Sequence, residues 1–214
     1  MQATGLDLGD EHRVERIDAP DAGLLFWPRA FAADEAAELF AELRTGIHWQ
    51  SEEIVIFGEK RRVPRLVAWH GDAGASYLYS GVRHEPRPWT PALERIRQRV
   101  GARLAGSGAP VASTFNSVLL NLYRDGRDGM GWHADDEPEL GNEPVIASVS
   151  LGAVRRFVLR HRRRRDRKID LTLPGGSLLV MHGATQRCWM HSVPKTARPV
   201  GERINLTFRR IATP

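Results

Sequence analysis

The residues best suited to metal chemistry lie in the stretch Gly131–Asp136, in which His133 and Asp135 are two positions apart. On an extended backbone, side chains two positions apart point to the same face, so both could contact one ion. A distant third ligand such as His191 would complete the two-histidine, one-carboxylate set that binds non-haem Fe(II) and leaves coordination positions open for oxygen chemistry. By itself the tripeptide is weak evidence, because most His-x-Asp sequences lie in solvated loops. We interpret His182, another histidine near the last strands, as structural, although its exchange with His191 stays an open alternative.

The last predicted strand, Arg203–Arg209, could hold an anion beside such a metal. Alternation puts the polar residues on one face and the apolar ones on the other: Arg203, Asn205, Thr207 and Arg209 against Ile204, Leu206 and Phe208. If the apolar face packs on helices, the arginines point inward, where an unpaired guanidinium is costly and an anion is required. The planar fork of arginine suits a carboxylate. An amphipathic edge strand with its arginines in water explains the same pattern.

A second strand, Asn116–Tyr123, presents Asn121 and Tyr123 on the face that they share with Leu119. An amide and a phenol that face inward are satisfied either by each other or by a polar ligand. Together with the metal ligands and the arginines, they describe an iron site beside a pocket for a small dicarboxylate. Such an arrangement is required when 2-oxoglutarate chelates iron and is decarboxylated as O₂ is activated.

Hydrophobic periods predict the elements that position these residues. We expect a helix that begins near Ala32 and ends at Gly46, and a second helix that starts at Thr90-Pro91, a cap followed by a first-turn proline. The predicted buried faces are Leu39, Phe40 and Leu43 in the first helix and Leu93, Ile96, Val100 and Leu104 in the second. Between the helices, residues 54–68 form extended pieces around a hairpin tip at Phe57-Gly58.

From Phe115 onward, short runs of period two are separated by Gly, Pro and Asp turns, which is typical of an antiparallel sandwich or barrel. The predicted strands are Ser117–Tyr123, Ile146–Leu151, Arg156–Arg160, Ile169–Leu173, Ser177–Met181 and Arg203–Arg209. Residues 1–22 lack a sustained period, and we expect a mobile leader there. The basic segment Arg160–Lys168 is either a solvated hairpin loop or a loop that contacts phosphates.

The composition bounds the class of protein. A length of 214 residues suits one domain, and 42% hydrophobic with 27% charged residues is ordinary for a soluble globular protein. No window reaches the roughly eighteen apolar residues of a membrane span. The one cysteine, Cys188, fits a reducing compartment, so we expect a cytoplasmic protein, and we expect a monomer. The 31 basic residues against 26 acidic ones permit a nucleic-acid partner without establishing one.

Ordered motifs along most of the chain carry a resemblance to a known family. They are Val63-Pro64-Arg65, Gly71-Asp72-Ala73-Gly74, Tyr77-Leu78-Tyr79-Ser80-Gly81, Asn121-Leu122-Tyr123, His133-x-Asp135 followed by Asp136-Glu137, Ile146–Gly152, Gly176–Leu179, Trp189–Ser192 and Arg203-x5-Arg209. From about Ile54 to Ile211 the chain resembles the AlkB family of Fe(II)/2-oxoglutarate-dependent dioxygenases, which reverse alkylation damage in nucleic acids. Within that family it is most similar to the members that prefer double-stranded DNA.

The resemblance implies a mostly β fold with flanking helices (α+β), built on a double-stranded β-helix, or jelly roll. Residues 113–214 would form this catalytic core, and residues 23–112 would form the N-terminal helices and a nucleotide-recognition lobe. The implied iron ligands are His133, Asp135 and His191. The implied 2-oxoglutarate residues are Asn121, Tyr123, Arg203, Asn205 and Arg209, of which Arg209 also counts among the catalytic residues.

The family reaction hydroxylates an N-alkyl carbon, and the product then collapses to an aldehyde and the repaired base. Its typical substrates, 1-methyladenine and 3-methylcytosine, are cationic, so an aromatic face and a nearby carboxylate favour them. Tyr79 is the stacking candidate, with His133 on the other side of the base. Candidates for the polar edge of the base are Tyr77, Asp136 and Glu137. Core packing is the alternative for both tyrosines.

Phe57 matches the position at which duplex-preferring members carry an apolar wedge that fills the space left by an extruded base. Packing on its own lobe is the alternative. Arg65, with its neighbours Arg61 and Arg62, could grip phosphates. The loop Lys195–Glu202 is less basic than we expect in those members, which leaves the choice between duplex DNA, single strands and RNA open.

The sequence therefore predicts an oxidative demethylase of alkylated DNA that uses iron, O₂ and 2-oxoglutarate. An RNA demethylase, or a hydroxylase of proteins or small molecules on the same scaffold, is the alternative within this chemistry. A catalytically silent binder of damaged nucleic acid is disfavoured, because a pure binder has no use for buried arginines around a metal site.

Overall fold

A computed structural model describes residues 13–56, 59–75, 77–79, 82–109, 111 and 114–212, and it describes the backbone alone at 54–56, 59–61, 77–79 and 82–84. The strands are β1 Glu15–Ala19, β2 Ala22–Trp27, β3 Gln50–Ile56, β4 Glu59–Gly71, β5 Tyr77–Tyr79, β6 Val82–His84, β7 Ser117–Tyr123, β8 Met130–His133, β9 Ile146–Gly152, β10 Arg155–His161, β11 Lys168–Leu173, β12 Ser177–His182, β13 Trp189–Val193 and β14 Arg203–Arg209. The helices are α1 Ala33–Gly46, α2 Pro91–Ala105 and α3 Thr185–Cys188, with a 3₁₀ turn at Pro138–Leu140.

Two antiparallel sheets face each other and form the body of the protein. The large sheet has the strand order β1-β2-β12-β9-β14-β7-β4-β3, and the small sheet has the order β11-β10-β13-β8. Apolar side chains from both sheets, such as Leu179 and Phe157, meet in one buried cluster between them. This sandwich of non-consecutive strands is the mostly β jelly roll that the resemblance implied.

The two long helices pack on the other face of the large sheet. Leu39 and Leu43 of α1 and Ile96 and Val100 of α2 are buried in one cluster with the helix-facing residues of that sheet. The hydroxyl of Thr90 caps α2 by accepting a hydrogen bond from the Leu93 amide at 3.3 Å. Both predicted helices are confirmed: apolar periodicity identified each of them, and Thr90 added a start signal for α2.

Strand β14 has the two different faces that its alternation predicted. It lies between β9 and β7, in the interior of the large sheet. Ile204, Leu206 and Phe208 are fully buried against the helix layer, so the alternate residues point towards the space between the sheets. The alternative of an amphipathic edge strand with its arginines in water is therefore wrong for Arg203, which is 1% exposed.

The expectation of a mobile leader over residues 1–22 is wrong for residues 15–19. These residues form β1, which pairs with β2 from Glu15↔Phe26 to Ala19↔Ala22. The sequence of β1 shows no clear period, because its side chains are mostly exposed and only Ile17 and Ala19 pack on the cluster between the sheets. Backbone pairing with β2 therefore defines this strand. Residues 1–12 lie outside the described part of the chain.

Two strands of the small sheet, β8 and β13, were not predicted. Strand β8 is four residues long and carries no buried side chain, so it shows no hydrophobic alternation. It pairs at the edge of the small sheet with β13, in a register that shifts between His191 and Val193. Hydrogen bonding to a neighbour, which local sequence does not encode, accounts for both strands.

Strands from both sides of the boundary predicted at residues 112–113 share the large sheet. Leu66 of β4 pairs with Leu122 of β7, and Leu178 of β12 pairs with Trp27 of β2. The hairpin expected over residues 54–68 is present as β3 and β4, which close at Ile56↔Glu59; its predicted tip, Phe57-Gly58, is outside the described residues.

Among the described residues, no helix has the length and apolar character that crossing a membrane demands.

Replacement of Phe208 by alanine should lower the free energy of unfolding by about 3–5 kcal/mol, the usual cost of deleting a buried phenylalanine. Its ring is fully buried, 6.3 Å from the ring of Trp89 and 6.0 Å from that of Phe115. Denaturant unfolding at equilibrium measures the change, and Phe208→Leu should cost clearly less because it leaves a smaller cavity. Equal midpoints for wild type and Phe208→Ala would show that the helix layer does not stabilise β14.

Candidate active site

Three predicted metal ligands converge between the sheets at the open edge of the small sheet. His133 on β8 is the direct cross-strand partner of His191 on β13, and their ring centroids are 4.2 Å apart. Asp135 follows β8 by two residues, and its Oδ2 lies 3.5 Å from Nε2 of His191. One ligand atom from each of the three residues lies within 4.8 Å of the others. The set therefore has the donor types and the spacing for one Fe(II) ion, with coordination positions left over.

The imidazole of His133 is oriented for metal binding by its own backbone. Its Nδ1 lies 2.9 Å from the carbonyl oxygen of Gly131, so Nδ1 carries the proton and donates it. That tautomer leaves the lone pair of Nε2 for a metal, which is the usual arrangement of a ligating histidine. His191 is fixed by packing instead, with the ring of Phe157 stacked at 5.3 Å.

Asp135 is held as a carboxylate inside the protein. Burial acts to raise its pKa, but the positive charge of Arg209 is the largest opposing effect and outweighs it, so the pKa lies below the ordinary value of an aspartate. Nη2 of Arg209 donates a hydrogen bond to Oδ1 of Asp135. The backbone amide of Asp135 donates to Oε1 of the buried Gln186 at 3.0 Å, which fixes the loop after β8.

His191 is unprotonated at neutral pH. Burial is the main cause that lowers its pKa to about 3. A metal binds histidine only through a deprotonated nitrogen, so no proton has to be removed from this side chain before an ion enters. The ionised Asp135 is the anionic member of the ligand set, and its charge is paired with that of Arg209.

A cavity next to the three ligands contains most of the residues predicted to bind 2-oxoglutarate. Its lining residues are Leu119, Asn121, Tyr123, Met130, His133, Asp135, Ser148, Phe157, Met181, His191, Val193, Asn205, Thr207 and Arg209. Four of the five predicted residues are among them, and Arg203 is not. The amides and the phenol come from β7 and β14, which are hydrogen-bonded neighbours, and Asn121 and Asn205 are direct cross-strand partners.

Arg203 is buried behind the cavity, with its guanidinium carbon 5.2 Å from the ring centroid of Tyr123. Nη2 donates to Oγ of Ser150 at 2.9 Å, whereas Nε and Nη1 have no hydrogen-bond partner among the described residues. Burial lowers the pKa of Arg203, and the phenol of Tyr123 partly opposes that effect. A buried guanidinium with two nitrogens that lack a partner is the feature expected where a carboxylate anion binds, so this side of the site fits a dicarboxylate.

The two asparagines are already oriented by hydrogen bonds. Nδ2 of Asn205 donates to Oγ of Ser148 at 2.8 Å and to the carbonyl of Val149 at 3.0 Å. Oδ1 of Asn121 accepts from Nε of Arg65 at 2.7 Å. Arg65 was predicted to grip phosphates; the structure directs its guanidinium to the cavity residue Asn121, so that it links β4 to the site.

The remaining predicted substrate residues are not among the described residues that line this cavity. Tyr77 and Tyr79 are two residues apart on β5, a spacing that places both positions on one face of the strand. The structure describes only the backbone of these two residues. Oδ2 of Asp136 accepts a hydrogen bond from Nη2 of Arg162 at 2.5 Å, and Glu137 precedes the 3₁₀ turn. Phe57 is not among the described residues.

Several residues of the site were missed by the sequence analysis. Gln186 and Met181 contact each other, with Nε2 of Gln186 3.5 Å from the sulfur of Met181, and Gln186 supports the Asp135 loop. Ser148 lines the cavity. Alternation along β9 could have identified it, because Ser148 is paired directly with Thr207, which alternation had already placed on the polar face of β14. No local signal pointed to Gln186, since its contact with Asp135 depends on how α3 is placed.

His182 is structural, as interpreted from the sequence. Its imidazole packs on Gly23 of β2 so closely that a Cβ on Gly23 would lie 2.5 Å from it, and His182 does not belong to the metal-ligand set. A second group of potential ligands, Asp21, His161 and Cys188, also lies within 4.8 Å. Nδ1 of His161 accepts from the backbone amides of residues 163 and 164 at 3.1 and 3.0 Å, and its Nε2 faces Asp21. Because Nδ1 accepts these hydrogen bonds, the proton of His161 lies on Nε2, which therefore has no lone pair for a metal. His161 instead anchors the turn after β10.

Comparison with known proteins agrees with this geometry. The profile of the 2OG-Fe(II) oxygenase superfamily matches residues 23–209. The chain is 42% identical over 191 residues to the human DNA oxidative demethylase ALKBH2, an alignment that covers 85% of this chain and 70% of that protein. It is 43% identical over 214 residues to the mouse alpha-ketoglutarate-dependent dioxygenase alkB homolog 3, with coverage of 94% and 72%.

The alignment with bovine ALKBH2, at 41% identity, covers 85% of this chain and 66% of the relative. Among solved structures, that of OsALKBH1 superposes with a TM-score of 0.64 at 16% identity over 92% of this chain and 100% of the other, which shows a shared fold. Fe(II), 2-oxoglutarate and O₂ are the cofactor and co-substrates of the matched superfamily, and the donor set of His133, Asp135 and His191 fits them. The chain belongs to the 2OG-Fe(II) oxygenase superfamily.

Proposed function

We propose that this protein is an oxidative demethylase that removes N-alkyl groups of the 1-methyladenine and 3-methylcytosine type from DNA. The observation that carries the proposal is the convergence of His133 with the buried Asp135 and His191, beside a cavity with arginine and amide groups suited to a dicarboxylate. Its similarity over most of its length to relatives named DNA oxidative demethylase supports the choice of substrate. We also expect the protein to act as a monomer in the cytoplasm.

In this proposal, the residues of the chain bind, orient and shield the reactants. Bound Fe(II) with 2-oxoglutarate and O₂ supplies the oxidation of the N-alkyl carbon. His133, Asp135 and His191 would hold the ion, and Arg209 neutralises Asp135 and keeps it ionised. Asn121, Tyr123 and Asn205 would orient the co-substrate, and Arg203 would bind its distal carboxylate. Burial of these groups between two sheets excludes water, which strengthens each charged contact.

The base would enter beside β8, which carries His133 at the edge of the small sheet. Tyr79 and His133 are proposed to stack on it, with Tyr77 and Glu137 at its polar edge. Asp136 is less available to a cationic base than its charge alone indicates, because Arg162 donates a hydrogen bond to its carboxylate. If Arg162 turns towards a phosphate when nucleic acid binds, Asp136 becomes available to a cationic base, since the two interactions compete for one guanidinium.

Phe57 is proposed as the wedge that fills the space left by the extruded base, and the basic segment Arg160–Lys168 as a surface that contacts phosphates. The latter proposal is supported by the exposure of residues 162–168, which form a turn at the end of the small sheet that contains the metal ligands. Phosphate contacts of this kind supply affinity without reading sequence.

The first test measures formaldehyde and succinate release with Fe(II), 2-oxoglutarate and ascorbate on matched 1-methyladenine oligonucleotides. The substrates are duplex DNA, single-stranded DNA and RNA of one sequence. We expect turnover on DNA that a chelator abolishes. A preference for RNA would favour the RNA demethylase, and iron binding without turnover on any of the three would indicate a hydroxylase of another substrate.

His133→Ala should abolish demethylation and weaken metal binding, because two ligands hold a divalent ion far less well than three. Metal content after reconstitution and turnover are measured together. His182→Ala is the matched control, since His182 is a nearby histidine outside the ligand set, and its metal content should stay at the wild-type level. Wild-type activity in His133→Ala would show that the ligand assignment is wrong.

Arg203→Lys should raise the KM for 2-oxoglutarate by about tenfold or more, because lysine keeps the charge but loses the paired N–H groups that a carboxylate accepts from. Binding is checked independently as the rise in thermal midpoint that 2-oxoglutarate causes, which should shrink in the variant. Arg210→Lys, at an exposed position directly after β14, serves as the control. An unchanged KM and an unchanged ligand-induced shift would exclude Arg203 from the co-substrate site.

Phe57→Ala should reduce demethylation of duplex DNA by about tenfold more than demethylation of a single strand, because only the duplex has a gap to fill after base extrusion. The ratio of kcat/KM on the two substrates is the measurement, with uncoupled succinate release as the control for an intact iron site. If both substrates are affected equally, Phe57 packs within its own lobe and does not act as a wedge.

A further inference from the structure

The outer face of the small sheet carries an exposed aromatic residue directly behind the metal site. Trp132 precedes His133 on β8, so the two side chains point to opposite faces of the strand. His133 faces the space between the sheets, and Trp132 therefore faces outward, with 38% of its surface exposed. An exposed tryptophan on a surface strand requires an explanation, because burial of the large indole surface is energetically favourable.

Trp132 lines the larger of the two cavities described here, which has a volume of about 320 Å³. The cavity extends along the outer face of the small sheet to β4, and its lining includes Pro64, Trp132, Arg156, Val158, Lys168 and Lys195. Met130 and Val193 line both this cavity and the one that contains the metal ligands. The two cavities are therefore adjacent at the edge of the small sheet.

The charge around this cavity is positive. Asp170 on β11 is an acidic residue beside this cavity. Its carboxylate already accepts hydrogen bonds from Arg156, and its Oδ2 lies 3.8 Å from Nζ of Lys168. These two cations lower the pKa of Asp170, the hydrogen bonds of Arg156 first, so that it stays ionised and the three groups together keep one positive charge. Lys195 is exposed on the opposite rim. The surroundings therefore complement an anion.

Arg160 adds a second feature that favours a planar anionic ligand. Its guanidinium carbon lies 4.1 Å from the centroid of the Trp132 ring. An arginine stacked on an indole fixes the orientation of the ring and makes a flat platform next to a cation. Nucleotides combine a planar base with a phosphate, and proteins bind them with this pairing of an aromatic surface and neighbouring basic groups.

From this arrangement we propose that the Trp132 cavity binds a nucleotide of the nucleic acid that delivers its damaged base to the metal site. The base of this nucleotide stacks against Trp132, and its phosphate lies between Lys168 and Lys195. This inference rests on the proposed function and deepens it, because it adds a binding site for an undamaged nucleotide outside the active site. Trp132 acts here in binding and has no role in the oxidation.

The test compares affinity and KM across single-stranded oligonucleotides of about 3 to about 15 nucleotides that carry one 1-methyladenine. In the wild type, affinity should rise at the length at which the chain reaches the Trp132 cavity. Trp132→Ala should remove that step, weakening binding of the longer oligonucleotides by about tenfold and leaving the shortest unaffected, while Trp132→Phe retains most of it. Val154→Ala is the matched control, because Val154 is another exposed large apolar residue and lies outside the cavity.

Lys168→Ala gives an independent readout of the phosphate contact. Loss of one phosphate contact reduces the slope of log affinity against log salt by about one for a duplex and somewhat less for a single strand. The reduction should appear with the longer oligonucleotides and be absent with the shortest. A slope that does not change with length or with the substitution contradicts the phosphate assignment.

A purely structural role of Trp132 predicts a different result. If the indole serves to cover Val158 and hold Arg160, Trp132→Ala lowers the thermal midpoint and the metal content. It then also weakens the binding of every oligonucleotide by the same factor, whatever its length, and this result overturns the proposal. Affinity that is equal in wild type and variant at all lengths also overturns it, and leaves a protein partner as the occupant of this face. Fluorescence anisotropy reads binding without chemistry, so a failure of the proposed demethylation appears separately, as bound oligonucleotide that is never repaired.

Discussion

The buried carboxylate of Asp135 is the constraint on which the rest of the site depends. An ionised group with 2% of its surface exposed is stable only if other groups compensate its charge and satisfy its oxygens. Arg209 of the large sheet, His191 of the small sheet and Gln186 of α3 all contact it or its backbone. The same carboxylate therefore ties both sheets together and makes the interior attractive to a divalent cation, which replaces part of that compensation when it binds.

The two faces of β14 connect this charged centre to the hydrophobic core. One face contributes Phe208 and its apolar neighbours to the packing of the helices on the large sheet. The other contributes Arg203, Asn205 and Arg209 to the site. Because the faces alternate strictly, any slip of register would move arginines into the core, so helix packing and site geometry enforce each other. Packing of the core therefore helps to fix the positions of the active-site residues.

Basic residues outside the site have more than one role, and the structure distinguishes between them. Arg65 reaches inward to Asn121, Arg162 covers Asp136, and Arg160 lies on the ring of Trp132. Net charge would count all three as equal contributors to nucleic-acid attraction. In fact each has a partner that a nucleic acid would have to displace or use, so we expect the gain from phosphate contacts to depend on position and to be smaller than the count of arginines indicates.

The sequence by itself determined much of this protein. Alternation in β14 and the periods of α1 and α2 predicted buried faces that the structure confirms, because burial of apolar area is a local and repetitive signal. The pairing of His133 with Asp135 followed from their spacing, and the motifs carried the family. The tertiary structure alone decided what depends on distant chain segments: that β1 is a strand, that Gln186 supports the ligand loop, and that Trp132 lines a cavity on the outer face. Each of these depends on hydrogen bonding or packing between residues far apart in the chain, and the local sequence around each residue carries no trace of such a partner.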